Sequence, residues 1–244
     1  MTDDLRIRPK KAAEMIADHL RAEIVSGNLA TGDNLPVERD LVATYGVSRP
    51  TLREALRILE TEGLLEVTRG VRGGAKVLGP SLTLATHAFG MILQAKGTKL
   101  ADVQIARAII EPPAARMVAE RKSAEDILVL REALDTEKSV VGTPQFPFAA
   151  MRFHEALIGL SRNNTIDAFL QVLHDIHRGA AVMFSTSGQT TTATAERTID
   201  QHEQLLAHVQ NGDGDAAEAL WRDYWEPYTH DNGTAVVDVL RAGT

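Results

Sequence analysis

Arg49, Arg53 and Arg57 recur at every fourth position of the segment 48–62, so on a helix their side chains share one face. Guanidinium is a permanent charge whose planar fork fits phosphate oxygens and the edge of guanine. A row of three suits polyanion binding, although the plain alternative is an ordinary solvated helix face. Arg39 stands upstream of the row, and Arg69 and Arg72 follow it in the glycine-rich run Arg69-Gly70-Val71-Arg72-Gly73-Gly74. A second chemistry is offered by imidazole. His154 and His202 fall on the apolar sides of their helices, and His174 and His177 are three apart on one helix face, a spacing that can chelate. A lone histidine on an apolar face is more often a satisfied core residue than a ligand, and His87 and His208 read as structural or surface residues. Arg107 sits among Val103, Ile109 and Ile110. It either pairs with Glu111 one turn on or anchors an anionic ligand. No nucleophile elbow, phosphate loop or pair of carboxylates at a catalytic spacing is present, so catalysis is not expected.

The arginine row needs a helix held at the surface, and the sequence around it supplies one. Pro36 suits the first turn of a short helix whose apolar face is Leu41, Val42 and Tyr45. Gly46 supplies a left-handed stop. Ser48 is an N-cap for a second helix, Pro50 lies in its first turn, and Gly63 ends it. Leu52, Ala55, Leu56 and Leu59 give that helix a core-facing stripe on a different face from the arginines. Two helices joined by a tight glycine turn form a helix-turn-helix pattern. The short strands 64–68 and 75–78 flank the glycine-rich run and predict a β-hairpin wing. Ahead of them, Ala13, Ile16, Leu20 and Ile24 mark a first amphipathic helix.

Gly79-Pro80-Ser81 predicts a boundary, with domains at 1–79 and 80–244. Beyond it the periodicity is helical, near 82–95, 99–121, 124–141, 147–161, 165–185, 193–210 and 214–230, with a further short helix near the C-terminus. Pro112-Pro113 predicts a kink or restart in the second of these. The Ser/Thr-rich run 185–194 reads as a connection. The fold class is therefore mainly α: a winged helix-turn-helix of three helices and a small hairpin, followed by an all-α bundle of six to seven helices.

The whole chain holds 26 Lys and Arg against 33 Asp and Glu, a net charge of −7. Residues 1–78 hold 12 of each sign, so the surplus acid lies in the second part. Local placement, not net charge, makes a phosphate-binding face. There is no cysteine, which excludes disulfides and thiolate metal sites. No apolar run is long enough for a membrane span or a signal peptide, so a cytoplasmic protein is expected.

The runs Asn34-Leu35-Pro36-Val37-Glu38-Arg39 and Tyr45-Gly46-Val47-Ser48-Arg49-Pro50-Thr51-Leu52-Arg53-Glu54-Ala55-Leu56 resemble the N-terminal domain of the GntR family of bacterial transcription regulators. The resemblance implies operator DNA contacts from Arg39, Ser48, Arg49, Thr51, Arg53, Arg69 and Gly70, and the wing position of Arg72 adds it to that set. The second part resembles the all-helical effector domain of the FadR-like branch, often called FCD. The resemblance rests on Arg107 to Arg116, on Arg152-Phe153-His154-Glu155-Ala156-Leu157 and on Gln201-His202-Glu203-Gln204-Leu205-Leu206. It implies a bundle that binds a small effector, often a carboxylate, and often uses a buried divalent metal. Two of that family's four metal ligands are replaced here: Ala150 stands for an aspartate and Tyr224 for a histidine. His154 and His202 alone would hold a metal only weakly, so no metal cofactor is expected. Arg107, His154, Asn163, His202 and Tyr224 are the expected effector contacts, for a carboxylate or acyl compound.

The expected function is a homodimeric DNA-binding regulator, a repressor relieved or strengthened by its effector, with no enzymatic activity. The competing reading is an α-helical enzyme or carrier whose winged helix serves protein contacts.

Overall fold

The computed structural model describes residues 12–68, 74–184, 192–229 and 235–238. Arg69, Gly70 and Arg72, and residues 185–191 of the Ser/Thr-rich connection, lie outside the described residues. The chain divides into two compact units, Met1–Leu84 and Ala85–Thr244.

In the first unit α1 (Ala12–Val25), α2 (Glu38–Tyr45) and α3 (Arg49–Thr61) are followed by β1 (Leu65–Val67) and β2 (Ala75–Val77). The strands pair antiparallel, with Leu65 opposite Val77 and Val67 opposite Ala75. Gly46 closes α2 in the left-handed conformation at φ 64°, which a side chain would resist. Ser48 caps α3 by accepting a hydrogen bond from the Thr51 amide, 3.4 Å away. The stripe Leu52, Ala55, Leu56 and Leu59 is buried against Ala13, Ile16, Leu20 and Ile24 of α1. Leu35, Leu41, Leu65 and Val77 complete this core, so one apolar cluster fixes α3 and the base of the hairpin together.

The second element set is helical: α4 (Leu82–Ala95), α5 (Leu100–Arg121), α6 (Ala124–Ser139), α7 (Phe146–Gly159), α8 (Asn164–Phe184), α9 (Thr192–Asn211) and α10 (Gly214–Thr229). The division between units falls inside α4, five residues after the expected boundary at Gly79. The bundle core holds Leu130, Leu134, Phe153, Leu157, Leu205 and Trp221, drawn from α6, α7, α9 and α10. Two expectations need correction. α5 does not restart at Pro112-Pro113 but runs as one helix of 22 residues. Its flank is buried on both sides of the prolines, at Glu111, Ala114, Ala115 and Val118, and packing against α10 offsets the lost backbone bonds. The expected short C-terminal helix is not seen among the described residues 235–238; instead Val236 bridges Lys99 in antiparallel fashion. No helix of the described residues is long and apolar enough to cross a membrane.

Candidate functional site

On the first unit, Arg49, Arg53 and Arg57 are all exposed on α3, as the four-residue spacing requires. The buried leucine stripe lies on the adjoining face of α3, so the helix cannot roll to hide them. Arg53 is held by Glu38 of α2, with Nε 3.2 Å from both carboxylate oxygens. Arg39 points into solvent, its side chain 82% exposed, with Nε 3.0 Å from Asp40. The hydroxyls of Ser48 and Thr51 lie 2.8 Å apart at the start of α3. Arg39, Ser48, Arg49, Thr51 and Arg53 therefore gather around the two helices of the turn. In an exposed position an Arg–carboxylate pair is weak, and a polyanion can replace the acid.

The second unit holds a different kind of site. Glu111 of α5 is fully buried and accepts five hydrogen bonds from side chains. Arg107 Nε donates to Oε1 at 2.8 Å and His174 Nε2 at 3.2 Å. His154 Nδ1, Trp221 Nε1 and Trp225 Nε1 donate to Oε2 at 2.7, 3.1 and 3.3 Å. The guanidinium of Arg107 also stacks 4.5 Å over the Trp225 ring. Burial by itself would raise the Glu111 pKa, but the Arg107 charge and the hydrogen bonds from His154 and His174 overcome it, and the carboxyl is held well below the usual range. An ionised carboxylate can only accept, so Nδ1 of His154 carries a proton. Burial drives the pKa of His154 down to about 3, against the pull of Glu111, whose charge Arg107 already matches. The ring is neutral, and its bare Nε2 accepts from the Tyr224 hydroxyl at 3.2 Å.

A second buried pair lies beside the first. His202 Nδ1 is 2.7 Å from Glu137 Oε2, and both side chains are 0% exposed. The His202 ring stacks on Phe153 with centroids 4.1 Å apart, and lies 5.3 Å from His154 and 5.6 Å from Tyr224. Among the described residues, Glu137 Oε1 and His202 Nε2 have no hydrogen-bond partner.

The structure thus brings Arg107, His154, His202 and Tyr224 into one cluster. It does not bring Asn163 there: the Asn163 Oδ1 accepts from the amides of Thr165 and Ile166, both at 3.2 Å, and caps α8. The alternative role of Arg107, pairing with Glu111, is realised. Glu137, Trp221 and Trp225 were not singled out from the sequence, Glu111 was named only as a partner for Arg107, and His174 only as a possible chelator with His177. The signal available was the Trp221, Tyr224, Trp225 spacing, which puts three ring donors on one face of α10. The position set that implies a metal is Ala150, His154, His202 and Tyr224, and it does not fit a divalent ion. Ala150 has no donor atom, and Nε2 of His154 is taken by the Tyr224 hydroxyl. Among the described residues no three His, Cys, Asp or Glu side chains are grouped to hold one. Of the pair His174 and His177, Nε2 of His174 is turned to Glu111, and Nδ1 of each has no hydrogen-bond partner among the described residues.

Comparison with known proteins follows the same division. Residues 12–75 match the gntR family of bacterial regulatory proteins, and residues 102–226, just over half of the chain, match the FCD domain. The HTH-type transcriptional repressor NanR of Klebsiella aerogenes is 34% identical over 169 residues, which span 66% of this chain and 64% of that protein. The Uxu operon regulator of Haemophilus influenzae is 27% identical over 215 residues, 85% of this chain and 77% of that protein. Among solved structures, a GntR protein of Streptococcus agalactiae superposes with a TM-score of 0.66 at 23% identity, covering 90% of this chain and all of that one, which shows a shared fold. The winged helix-turn-helix, the helical unit that follows it in the chain and the two family matches make this chain a member of the gntR family of bacterial regulatory proteins, of the kind that carries an FCD domain.

Proposed function

We propose that the chain is a transcriptional repressor that binds operator DNA through α2, α3 and the wing, and whose operator affinity is set by a small anionic effector taken up by the helical unit. The observation that carries this reading is the row Arg49, Arg53 and Arg57, exposed on a capped helix whose other face is locked into the core. Side chains at the start of such a helix reach base edges in the major groove. NanR, a relative at 34% identity, is by name a repressor. Both matched families are regulatory, which removes the enzyme reading.

A homodimer belongs to this reading, because one reading head covers few base pairs and two-fold pairing doubles the readout. The helix α4 supports it. Its 14 residues carry no Asp, Glu, Lys or Arg, yet Met91 and Ile92 are exposed. An uncharged, exposed helix is a surface that a second copy would cover. No metal is required. The buried imidazoles are neutral hydrogen-bonding groups in this reading, and elemental analysis of protein purified without chelator should find well under one equivalent of zinc, nickel or manganese per chain.

The test is fluorescence anisotropy with DNA from the chain's own promoter region, titrated with salt. Binding should weaken steeply as salt rises, as counterion release demands, and light scattering should give a dimer. A chain that binds its promoter region no better than unrelated DNA, or that stays monomeric with and without DNA, would refute the reading.

A further inference from the structure

Only Gly90 of the 14 residues of α4 is buried, although the helix is apolar. A lone helix of this length is marginal in water and needs outside contacts to persist. In its middle, Phe89 meets Phe169 of α8, with ring centroids 6.4 Å apart. Its C-terminal end is fastened differently. Gly97, at φ 64°, turns the chain out of the helix, and the Thr98 amide donates back to the Leu93 carbonyl at 3.0 Å. Lys99 is extended, at φ −80° and ψ 153°, and Val236 bridges it in antiparallel fashion. The Leu100 amide donates to the Ala235 carbonyl and the Val237 amide to the Thr98 carbonyl, both at 2.9 Å. The first of these bonds fills an amide in the opening turn of α5, where the helix itself offers no acceptor. Gln94 Nε2 donates to Asp238 Oδ1 at 3.1 Å, which ties the last turn of α4 to the same segment. Val237 is 1% exposed and Val236 51%, so one side of residues 235–238 is seated and the other is open.

We infer that residues 235–238 are a clasp that holds the C-terminal end of α4 to α5, and that opening the clasp frees α4 and weakens operator binding. The clasp stands on these contacts alone. Its effect on the operator rests on the reading of the chain as an operator-binding repressor.

Position gives the clasp its consequence. α5 is anchored in the core, because its Glu111 takes donors from α7, α8 and α10. α4 has no such anchor, and the division between the two units falls inside it. Along the chain, α4 is therefore the path from the helical unit to the reading head. The segment 235–238 spans the joint between the anchored helix and the loose one. It holds α4 through Gln94, the turn through Thr98 and Lys99, and α5 through Leu100. Two helices joined by a glycine turn can pivot, and a strand bridged across that turn removes the freedom. Two main-chain bonds, one side-chain bond and one seated valine are few enough to open locally while the bundle core stays folded. The ordering and release of such a short segment is an established way for a protein to switch.

The test opens the clasp in the full chain and then locks it. Val237→Asp sets a charge in the seated position, and Val236→Ser, on the open side, is the control. The lock is a disulfide from Lys99→Cys with Val236→Cys, and no other cysteine is present to compete. The bonds on either side make these two a non-hydrogen-bonded pair, with Cα atoms about 4.5 Å apart, a span that a disulfide bridges. In Val237→Asp, hydrogen exchange of the amides at 86–100 should quicken by roughly tenfold or more, as loss of the hydrogen bonds implies. Amides of α7 and α9 should keep the parent's rates. Operator affinity in the anisotropy assay should fall by a similar factor, and Val236→Ser should change neither readout. Adding the oxidised cysteine pair to Val237→Asp should restore both readouts, and dithiothreitol should abolish the rescue. Unchanged exchange at 86–100 overturns the clasp. So does quickening spread equally over α7 and α9, which would make Val237 an ordinary core residue. If α4 alone loosens and operator affinity stays level, the clasp stands and its link to the operator does not. A parent chain that binds no promoter DNA refutes the repressor reading and leaves the exchange result to decide the clasp.

Discussion

The two units use arginine in opposite ways. On α3, Arg49, Arg53 and Arg57 stand in solvent, and Arg53 leans on Glu38 in a pair 68% and 35% exposed. On α5, Arg107 and Glu111 are 3% and 0% exposed and close the same kind of contact at 2.8 Å. In water the exposed pair contributes little to stability and separates readily when a stronger anion arrives. In the core, separation would leave a charge without water or partner. Solvent access, not residue type, decides whether an arginine is available to a ligand or belongs to the protein's own framework. The buried set also recruits neutral donors, two indoles and two imidazoles, because a carboxylate in the interior must have its lone pairs filled.

The sharpest way to break the comparison is Glu111→Gln. It removes the charge that matches Arg107 and turns acceptor sites into a donor facing His154. The expected loss is about 3–5 kcal/mol of folding stability, the range for breaking a buried pair, read by urea denaturation. A loss under about 1 kcal/mol would put the cluster in the same class as the surface pairs. Replacing both partners by apolar residues, Arg107→Met with Glu111→Leu, should cost less than Glu111→Gln alone.

Arg53→Ala probes the other side. It should weaken specific DNA binding by about 1–3 kcal/mol, at least tenfold, as loss of a base-edge contact does. Folding stability should change by no more than about 0.5 kcal/mol, as at other exposed sites. Unchanged affinity would show that α3 does not dock as proposed, and a large loss of stability would show that the exposed pair is not weak.

A further probe is the pH response, which belongs to the buried side alone because arginine does not titrate in this range. The native pKa of His154 lies at about 3 and that of His177 at about 4, both lowered first by burial. In the unfolded chain a histidine titrates near ~6.5. Above that value neither state binds the proton. As pH falls below it, the unfolded chain takes up protons that the native rings refuse, so stability declines toward pH 4 with a slope approaching about 1.4 kcal/mol per pH unit for each ring. Glu111, held ionised in the native state, adds a loss of the same sign below its ordinary range. Thermal midpoints should fall steadily from pH 6.5 toward 4.5, and His177→Gln should flatten the decline. A midpoint that stays level through this window would mean that the rings are charged in the folded protein.

What the sequence by itself determined is local. The stripe Leu52, Ala55, Leu56 and Leu59, the Ser48 cap, the Gly46 stop and the arginines at every fourth position all act within one or two helical turns, and periodicity reports such features directly. Helix ends in the second unit fell within two residues of expectation for the same reason. The pairing of Arg107 with Glu111 was also visible, one turn apart, but as one of two readings. What only the tertiary structure decided is which reading holds. The other donors to Glu111 come from positions 43, 63, 110 and 114 residues away on α7, α8 and α10. The continuity of α5 through Pro112-Pro113 depends in the same way on packing against α10. So does the burial of Arg107 against Glu111, where Arg197 on α9 stays exposed. Whether a charge faces water or another side chain is set by what the rest of the chain brings against it, and that distance in sequence carries no periodic trace.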